Sequence, residues 1–264
     1  MFFLILLLIF TALYSYLLTL SGLSLAFLAL WIPLGLILAI LTILIMAYIF
    51  LLACPKKDPM KKFRHFILRN AVIWACWFLH VKIEAEGQEN IPTDKTFVVY
   101  ANHKSNMDPV IIYLTLHRLC TAIGKKSLFK NYFMRLVAQV WGAIPIDRDN
   151  DREAAKTMVR SIKHCKEGWN IIIFPEGGIK SRDCDEMVNL RAGAYKLAMK
   201  ANALILPVSI IGSAQISKLP KWKRKVVKVI YHKPVEPSFY EGKNTTEVGL
   251  YVEDIINEGV KNAQ

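Results

Sequence analysis

From Met1 to Ala53 the chain carries no Asp, Glu, Lys, Arg or His. A charge-free run of that length suits hydrocarbon, because a helix satisfies its own backbone and presents only apolar side chains to lipid. Met1–Leu20 supplies 20 apolar-rich residues, and a helix of that length is about 30 Å long, the thickness of a bilayer core. Leu23–Leu52 is longer than one span needs. Pro33 and Gly35 sit near its start, so the second span is expected from near Trp31 to near Leu52, with Ser21-Gly22 in the turn. The first expectation is a transmembrane hairpin over residues 1–53. The alternative is one span plus an interfacial segment.

The whole formal charge of +13 lies between Cys54 and Gln264. No positive region precedes the apolar run, which argues against a secretory signal, and Leu51-Leu52-Ala53-Cys54 lies too deep in the chain for a lipidation box. Lys56, Lys57, Lys61, Lys62, Arg64 and Arg69 crowd after the second span. The positive-inside rule then puts that end, and the domain it leads into, on the cytoplasmic face. The five cysteines show no CxxC spacing, which fits reduced thiols in a cytosol. A basic surface suits nucleic acid, anionic lipid or a phosphorylated substrate. The membrane segment favours lipid headgroups, and no base-reading motif supports nucleic acid.

Phe63–Val81 mixes Arg64, His65, Arg69 and His80 with many aromatic and aliphatic residues. It reads either as an interfacial helix with indoles at headgroup depth or as a core helix of the following domain. Beyond it, short β-rich runs alternate with helical stretches. Strands are expected at 96–101, 120–123, 141–146, 170–174, 204–211 and 226–232. Helices are expected at 109–116, 129–140, 151–166, 190–200 and 246–262. That alternation predicts an α/β fold, a mixed sheet flanked by helices. The expected organisation is a hairpin over 1–53, a basic interfacial linker or amphipathic helix over 54–84, and a catalytic domain over 85–264.

Two segments carry chemistry. Asn102-His103-Lys104-Ser105-Asn106-Met107-Asp108 places an imidazole and a carboxylate five residues apart, between a strand and a helix. A neutral imidazole is a good general base, and a carboxylate on its far nitrogen fixes the tautomer and steadies the imidazolium. The pair has no nucleophile of its own, so its natural task is to deprotonate a substrate hydroxyl. Phe174-Pro175-Glu176-Gly177 also follows a strand, and carboxyl ends of strands are where α/β proteins place ligands. Glu176 reads either as a hydrogen-bond acceptor for hydroxyls or as a solvated turn residue. Lys125, Lys126, Arg148, Lys180 and Arg182 each follow a candidate strand end and suit a phosphate, which needs two or three donors. No HExxH or Cys/His spacing suggests a metal, and no GxxxxGK[ST] loop is present.

The chain resembles the membrane-bound 1-acylglycerol-3-phosphate acyltransferase family of lysophospholipid acyltransferases. Four blocks in order carry the resemblance: Asn102–Asp108, Gly142–Arg148, Phe174–Gly177 and Leu206-Pro207-Val208. The family usually continues FPEG with Thr-Arg-Ser; here Gly178, Ile179 and Lys180 follow, and a lysine lacks the bidentate fork of arginine. The resemblance implies His103 as base and Asp108 as its orienting partner. It implies Asn102, Lys125, Lys126, Arg148, Glu176, Gly177 and Lys180 around the acceptor. It implies no bound cofactor and no metal, with acyl-CoA or acyl-carrier protein as co-substrate. The partners are membrane lipids, the lysophospholipid acceptor and the acyl thioester donor. Backbone N–H groups near the helix entrance are expected to hold the oxyanion. Rival readings are a different acceptor, a lipid-binding module without activity, and a hydrolase.

Overall fold

A computed structural model describes residues 2–20, 28–53 and 62–263. Two compact units emerge, Met1–Asp58 and Pro59–Gln264.

The first unit contains helices α1 (Phe2–Leu20) and α2 (Leu28–Ala53). Trp31–Ala53, 23 residues, is long and apolar enough to cross a membrane, while α1 is the shorter apolar helix. The two helices pack together. Tyr14 Oη and Thr42 Oγ1 share a hydrogen bond of 2.7 Å. A Cβ on Gly35 would stand 2.6 Å from Ser15 Oγ, so glycine is what permits the close approach there. Helix α2 starts five residues before Pro33, which therefore lies inside it rather than marking its beginning. The predicted turn at Ser21-Gly22, Cys54, and the basic residues Lys56, Lys57 and Lys61 fall outside the described residues.

The second unit is built on a seven-stranded sheet, flanked by helices. Its strands are β1 (Val81–Glu86), β2 (Phe97–Ala101), β3 (Cys120–Lys125), β4 (Ile144–Ile146), β5 (Asn170–Ile173), β6 (Leu204–Ile211) and β7 (Lys225–Tyr231). Their order is β1-β7-β6-β2-β5-β3-β4. Strands β6, β2, β5, β3 and β4 run parallel. Strand β7 is antiparallel to β6, and β1 is parallel to β7, so the sheet is mixed. The central strands are apolar runs buried on both faces, as parallel sheets require. Alternation divides their side chains between two cores. Val99, Ala101, Ile172, Leu206 and Val208 pack on one face with Leu68, Val72, Ile111 and Trp141. Val98, Tyr100, Ile171, Ile173 and Ile205 pack on the other with Tyr195, Leu197, Val252 and Ile256.

The helices are α3 (Lys62–Phe78), α4 (Asp108–Thr115), α5 (Tyr132–Trp141), α6 (Asp151–Lys166), α7 (Lys196–Ala201), the short α8 (Gln215–Lys218) and α9 (Pro237–Tyr240), and α10 (Thr245–Asn262). Asn150 caps α6 by accepting from the Glu153 amide, and Asn244 with Glu247 forms a capping box on α10. Helix α3 packs on the core of the second unit, as the second reading of its sequence expects. Arg64, His65, Leu68, Val72 and Cys76 are buried in the unit, while Phe63, Trp77 and Phe78 are exposed. Three expectations shift. Trp141 closes α5, and only Ile144–Ile146 is extended. The segment 126–130 is a 3-10 turn ahead of α5, and 192–195 a 3-10 turn ahead of α7. Strand β1 adds to the expected strands: its Val81-Lys82-Ile83-Glu84-Ala85-Glu86 alternation is that of an edge strand with one face in water, and it lacks the continuous apolar run of the central strands.

Candidate active site

The parallel strands bring their carboxyl ends to one edge of the sheet. Chain leaving β2 carries His103, chain leaving β5 carries Glu176, β3 ends on Lys125, and Arg148 follows β4 two residues on. The sequence-distant blocks thus meet at the sheet position where α/β folds bind ligands.

Asp108 sits in the first turn of α4 and is fully buried. Its Oδ2 lies 3.0 Å from His103 Nδ1 and accepts the amides of Lys104 and Ser105 at 2.7 Å each. A carboxylate only accepts, so Nδ1 carries the hydrogen, and Nε2 is left with its lone pair. The imidazole stacks on Phe174, with ring centroids 4.2 Å apart and planes at 23°. The side chain of His103 retains 14% exposure. The dyad therefore holds one tautomer in one orientation, with a single accessible basic nitrogen.

Behind it lies a buried ion pair. Lys104 Nζ is 3.2 Å from Glu176 Oε2, and both side chains are 0% exposed. Glu176 Oε1 accepts the His103 main-chain N–H at 2.7 Å. Burial pushes the Glu176 carboxyl above its ordinary range, against the opposing pull of the His103 amide and Lys104. Glu176 therefore faces inward and fixes the histidine loop. Asn102 is likewise internal. Its amide donates to the carbonyls of Asp185 and Ile210 at 2.6 Å and accepts from the Ile210 amide at 2.8 Å, bolting the end of β2 to β6. Its hydrogen-bonding groups are spent on backbone.

His103 opens onto a cavity of about 340 Å³. Leu68 and Val72 of α3, Val110 of α4, Ile123 of β3 and Val137 and Trp141 of α5 give it apolar walls. Lys125, Arg148, Gly178 and Ile179 line it too. Arg148 donates to the Gly177 carbonyl. Burial and the nearby Arg191 both draw the Arg148 guanidinium below its usual value. Gly177 has φ of +71°, which favours glycine, and the Arg191 side chain lies over it, 2.5 Å from where a Cβ would stand.

Of the cations expected around a phosphate, Lys125 and Arg148 line the cavity with His103. Lys126 instead pairs with Asp147 at 3.0 Å on the surface, and Lys180 is exposed outside the lining. Two contributors escape a reading of the sequence. Lys104 lies inside the first block but is an unassigned position of it. Arg191 comes from a separate loop, tied back by its amide to the Pro175 carbonyl at 2.9 Å, and no local pattern links it to Gly177. The oxyanion expectation narrows at the helix entrance. The amides of residues 103, 104, 105, 107 and 108 already serve Glu176, Asp108 and Ser105. Among the described residues, no group of three His, Cys, Asp or Glu converges to hold a metal.

An apolar cavity of about 340 Å³ beside a His–Asp dyad, at the carboxyl edge of a mixed α/β sheet, fits the class of acyl-transfer domains. Residues 82–211 match the family described as Acyltransferase. A probable 1-acyl-sn-glycerol-3-phosphate acyltransferase from Mycoplasma genitalium is 30% identical over 67% of this chain and 70% of its own length. A 1-acyl-sn-glycerol-3-phosphate acyltransferase from Borreliella burgdorferi is 36% identical over 55% of this chain. The match spans 58% of that protein, and 51% of a chloroplastic relative from Arabidopsis thaliana. The crystal structure of the 1-acyl-sn-glycerophosphate acyltransferase PlsC from Thermotoga maritima is similar, with TM-score 0.63 and 27% identity over 75% of this chain and 79% of that one. The chain belongs to the acyltransferase family.

Proposed function

We propose that the chain transfers an acyl group from an acyl thioester, acyl-CoA or acyl-carrier protein, to the free hydroxyl of 1-acyl-glycerol-3-phosphate, giving phosphatidic acid. One observation carries this reading: His103 Nε2 is the available base at the rim of an apolar cavity that also presents Lys125 and Arg148. The cavity walls take an acyl chain. The cations take the phosphate. His103 removes the hydroxyl proton, and the oxygen attacks the thioester carbonyl. The tetrahedral intermediate collapses with release of the thiolate, which recovers the proton from His103. Asp108 steadies the imidazolium in between. No acyl-enzyme is needed.

The names of the similar proteins support this acceptor. The Ile179 departure favours a second reading, a different lyso-lipid acceptor, because an apolar side chain lines the cavity where family members carry arginine. The apolar unit is proposed to anchor the protein as a hairpin over 1–53, ahead of a catalytic domain on the cytoplasmic side; α3 and β1 belong to that domain, so it begins before residue 85 and the expected linker over 54–84 is shorter. The purified chain, one acyl thioester and a panel of lyso-acceptors test the assignment. Phosphatidic acid as the dominant product supports it; preferential acylation of an acceptor without a phosphate monoester overturns it.

A further inference from the structure

Beyond the reaction itself, we propose that the loop from Lys218 to Lys225, with the C-terminal end of α3, is a docking surface for an anionic bilayer, on the same sheet edge as His103. Sequence gives the loop its charge. Between Glu186 and Glu236 there is no Asp or Glu, while Lys218, Lys221, Lys223, Arg224 and Lys225 fall within eight residues.

Topology gives it its place. Strand β6 ends at the edge that carries the active site. Strand β7 runs back antiparallel, with Ile211 paired to Lys228, so β7 begins at that same edge. Strand β1 is parallel to β7 with Val81 opposite Lys225, and it too begins there. The turn between β6 and β7 and the end of α3 therefore stand beside the strand ends that carry His103, Lys125 and Glu176.

A buried lysine fixes the arrangement. Lys225 is 1% exposed, and its Nζ donates to the carbonyls of Leu79, Pro220 and Lys221 at 2.9, 2.8 and 3.0 Å. Its amide donates to the His80 carbonyl at 2.9 Å. Three hydrogen bonds satisfy the ammonium completely, so the loop is clamped to the segment that follows α3. The clamp joins two exposed aromatic groups: Trp222, 76% exposed, on the loop, and Trp77, 70% exposed, with Phe78, 64% exposed, on α3.

Lys221, Lys223 and Arg224 are exposed beside Trp222. Lys218 is partly occupied by Asp183 at 3.3 Å, and the charge of Arg224 reaches Glu84. Lys221 and Lys223 have no acidic partner among the ion pairs of the described residues. Bare indoles among unneutralised cations match the headgroup layer, where tryptophan partitions and phosphates supply the counter-charge. An acidic protein surface would engage the cations without needing the indoles. The bilayer is therefore the occupant the chemistry favours.

The test uses the full chain in nanodiscs of phosphatidylcholine alone or with phosphatidylglycerol. Hydrogen exchange is followed at residues 219–226, and tryptophan quenching by brominated lipid is compared with Trp222→Phe. The expected result is slower exchange with phosphatidylglycerol and a smaller quenched fraction in Trp222→Phe, the remainder coming from Trp31 and Trp77. Neutralising Lys221, Lys223 and Arg224 to Gln should weaken the contact by about fivefold per cation, on the order of a hundredfold together. Exchange and quenching that ignore lipid charge overturn the proposal. So does protection by an acidic acyl-carrier protein in its place.

Discussion

Glu176 Oε1 accepts the main-chain N–H of His103 at 2.7 Å. That bond joins the two motifs that stand 73 residues apart into one unit. The acid of the second motif thereby shapes the loop that aims the base of the first. Lys104 neutralises that acid from within, so a charge-rich arrangement sits in a fully buried place.

Removing one partner of this pair should be costly. Glu176→Gln leaves the Lys104 ammonium buried without its counter-ion, a loss of roughly 3–5 kcal/mol. The double variant Lys104→Met/Glu176→Leu should recover much of that stability, yet transfer should stay impaired because the His103 amide loses its acceptor. Thermal unfolding and turnover on both variants check the two halves separately.

Asp108→Asn should keep the fold and lose transfer. The amide oxygen can stand where Oδ2 accepts, but it carries no charge, so the imidazolium formed during transfer loses its counter-charge. A general base contributes about 10²–10⁴-fold, and the loss should fall in that range at saturating substrates.

Arg191→Gln should weaken binding of a phosphate-bearing acceptor. Burial and then the charge of Arg191 lower the Arg148 guanidinium, so a phosphate held by Arg148 would also be attracted by Arg191. A charge-assisted hydrogen bond contributes about 1.5–3 kcal/mol, so KM for the acceptor should rise roughly tenfold or more with kcat little changed. Ile179→Arg in the same background should restore part of the affinity. An unaltered KM would return the phosphate to Lys125 and Arg148 alone.

Stability should fall with acid through His232. Its Nε2 lies 2.8 Å from Ser209 Oγ, which gives its own hydrogen to the Ile256 carbonyl, so Nε2–H is the donor. Burial holds the imidazole below its ordinary value. A depressed pKa means the contribution is present above about pH 6.5, the unfolded value, and is lost as pH falls through the folded one. Comparing Tm between pH 5 and 8 for the wild type and His232→Gln isolates the histidine. The variant should show the shallower acid decline.

Much of the sheet is legible in the sequence because its central strands, such as β5 and β6, are unbroken apolar runs. Helices α6 and α10 fall close to the expected 151–166 and 246–262, and the structure adds Asn150 and Asn244 as their caps. Strand β1 hides because an edge strand need not be apolar on both faces. His103 and Asp108 are local neighbours, so spacing across a turn reveals them. Lys104 and Arg191 are not legible, since their roles come from residues 72 positions distant in one case and from a loop folding onto Gly177 in the other. Asn102 and Glu176 are visible as motif residues, but sequence alone does not say that their polar groups turn inward.

The most direct test is phosphatidic acid formation by the purified full chain from an acyl thioester and 1-acyl-glycerol-3-phosphate, measured beside His103→Ala. The account predicts product from the wild type and a rate at least about 10²-fold lower in the variant, with unfolding temperature and membrane association unchanged. A variant that transfers acyl groups at the wild-type rate would contradict it.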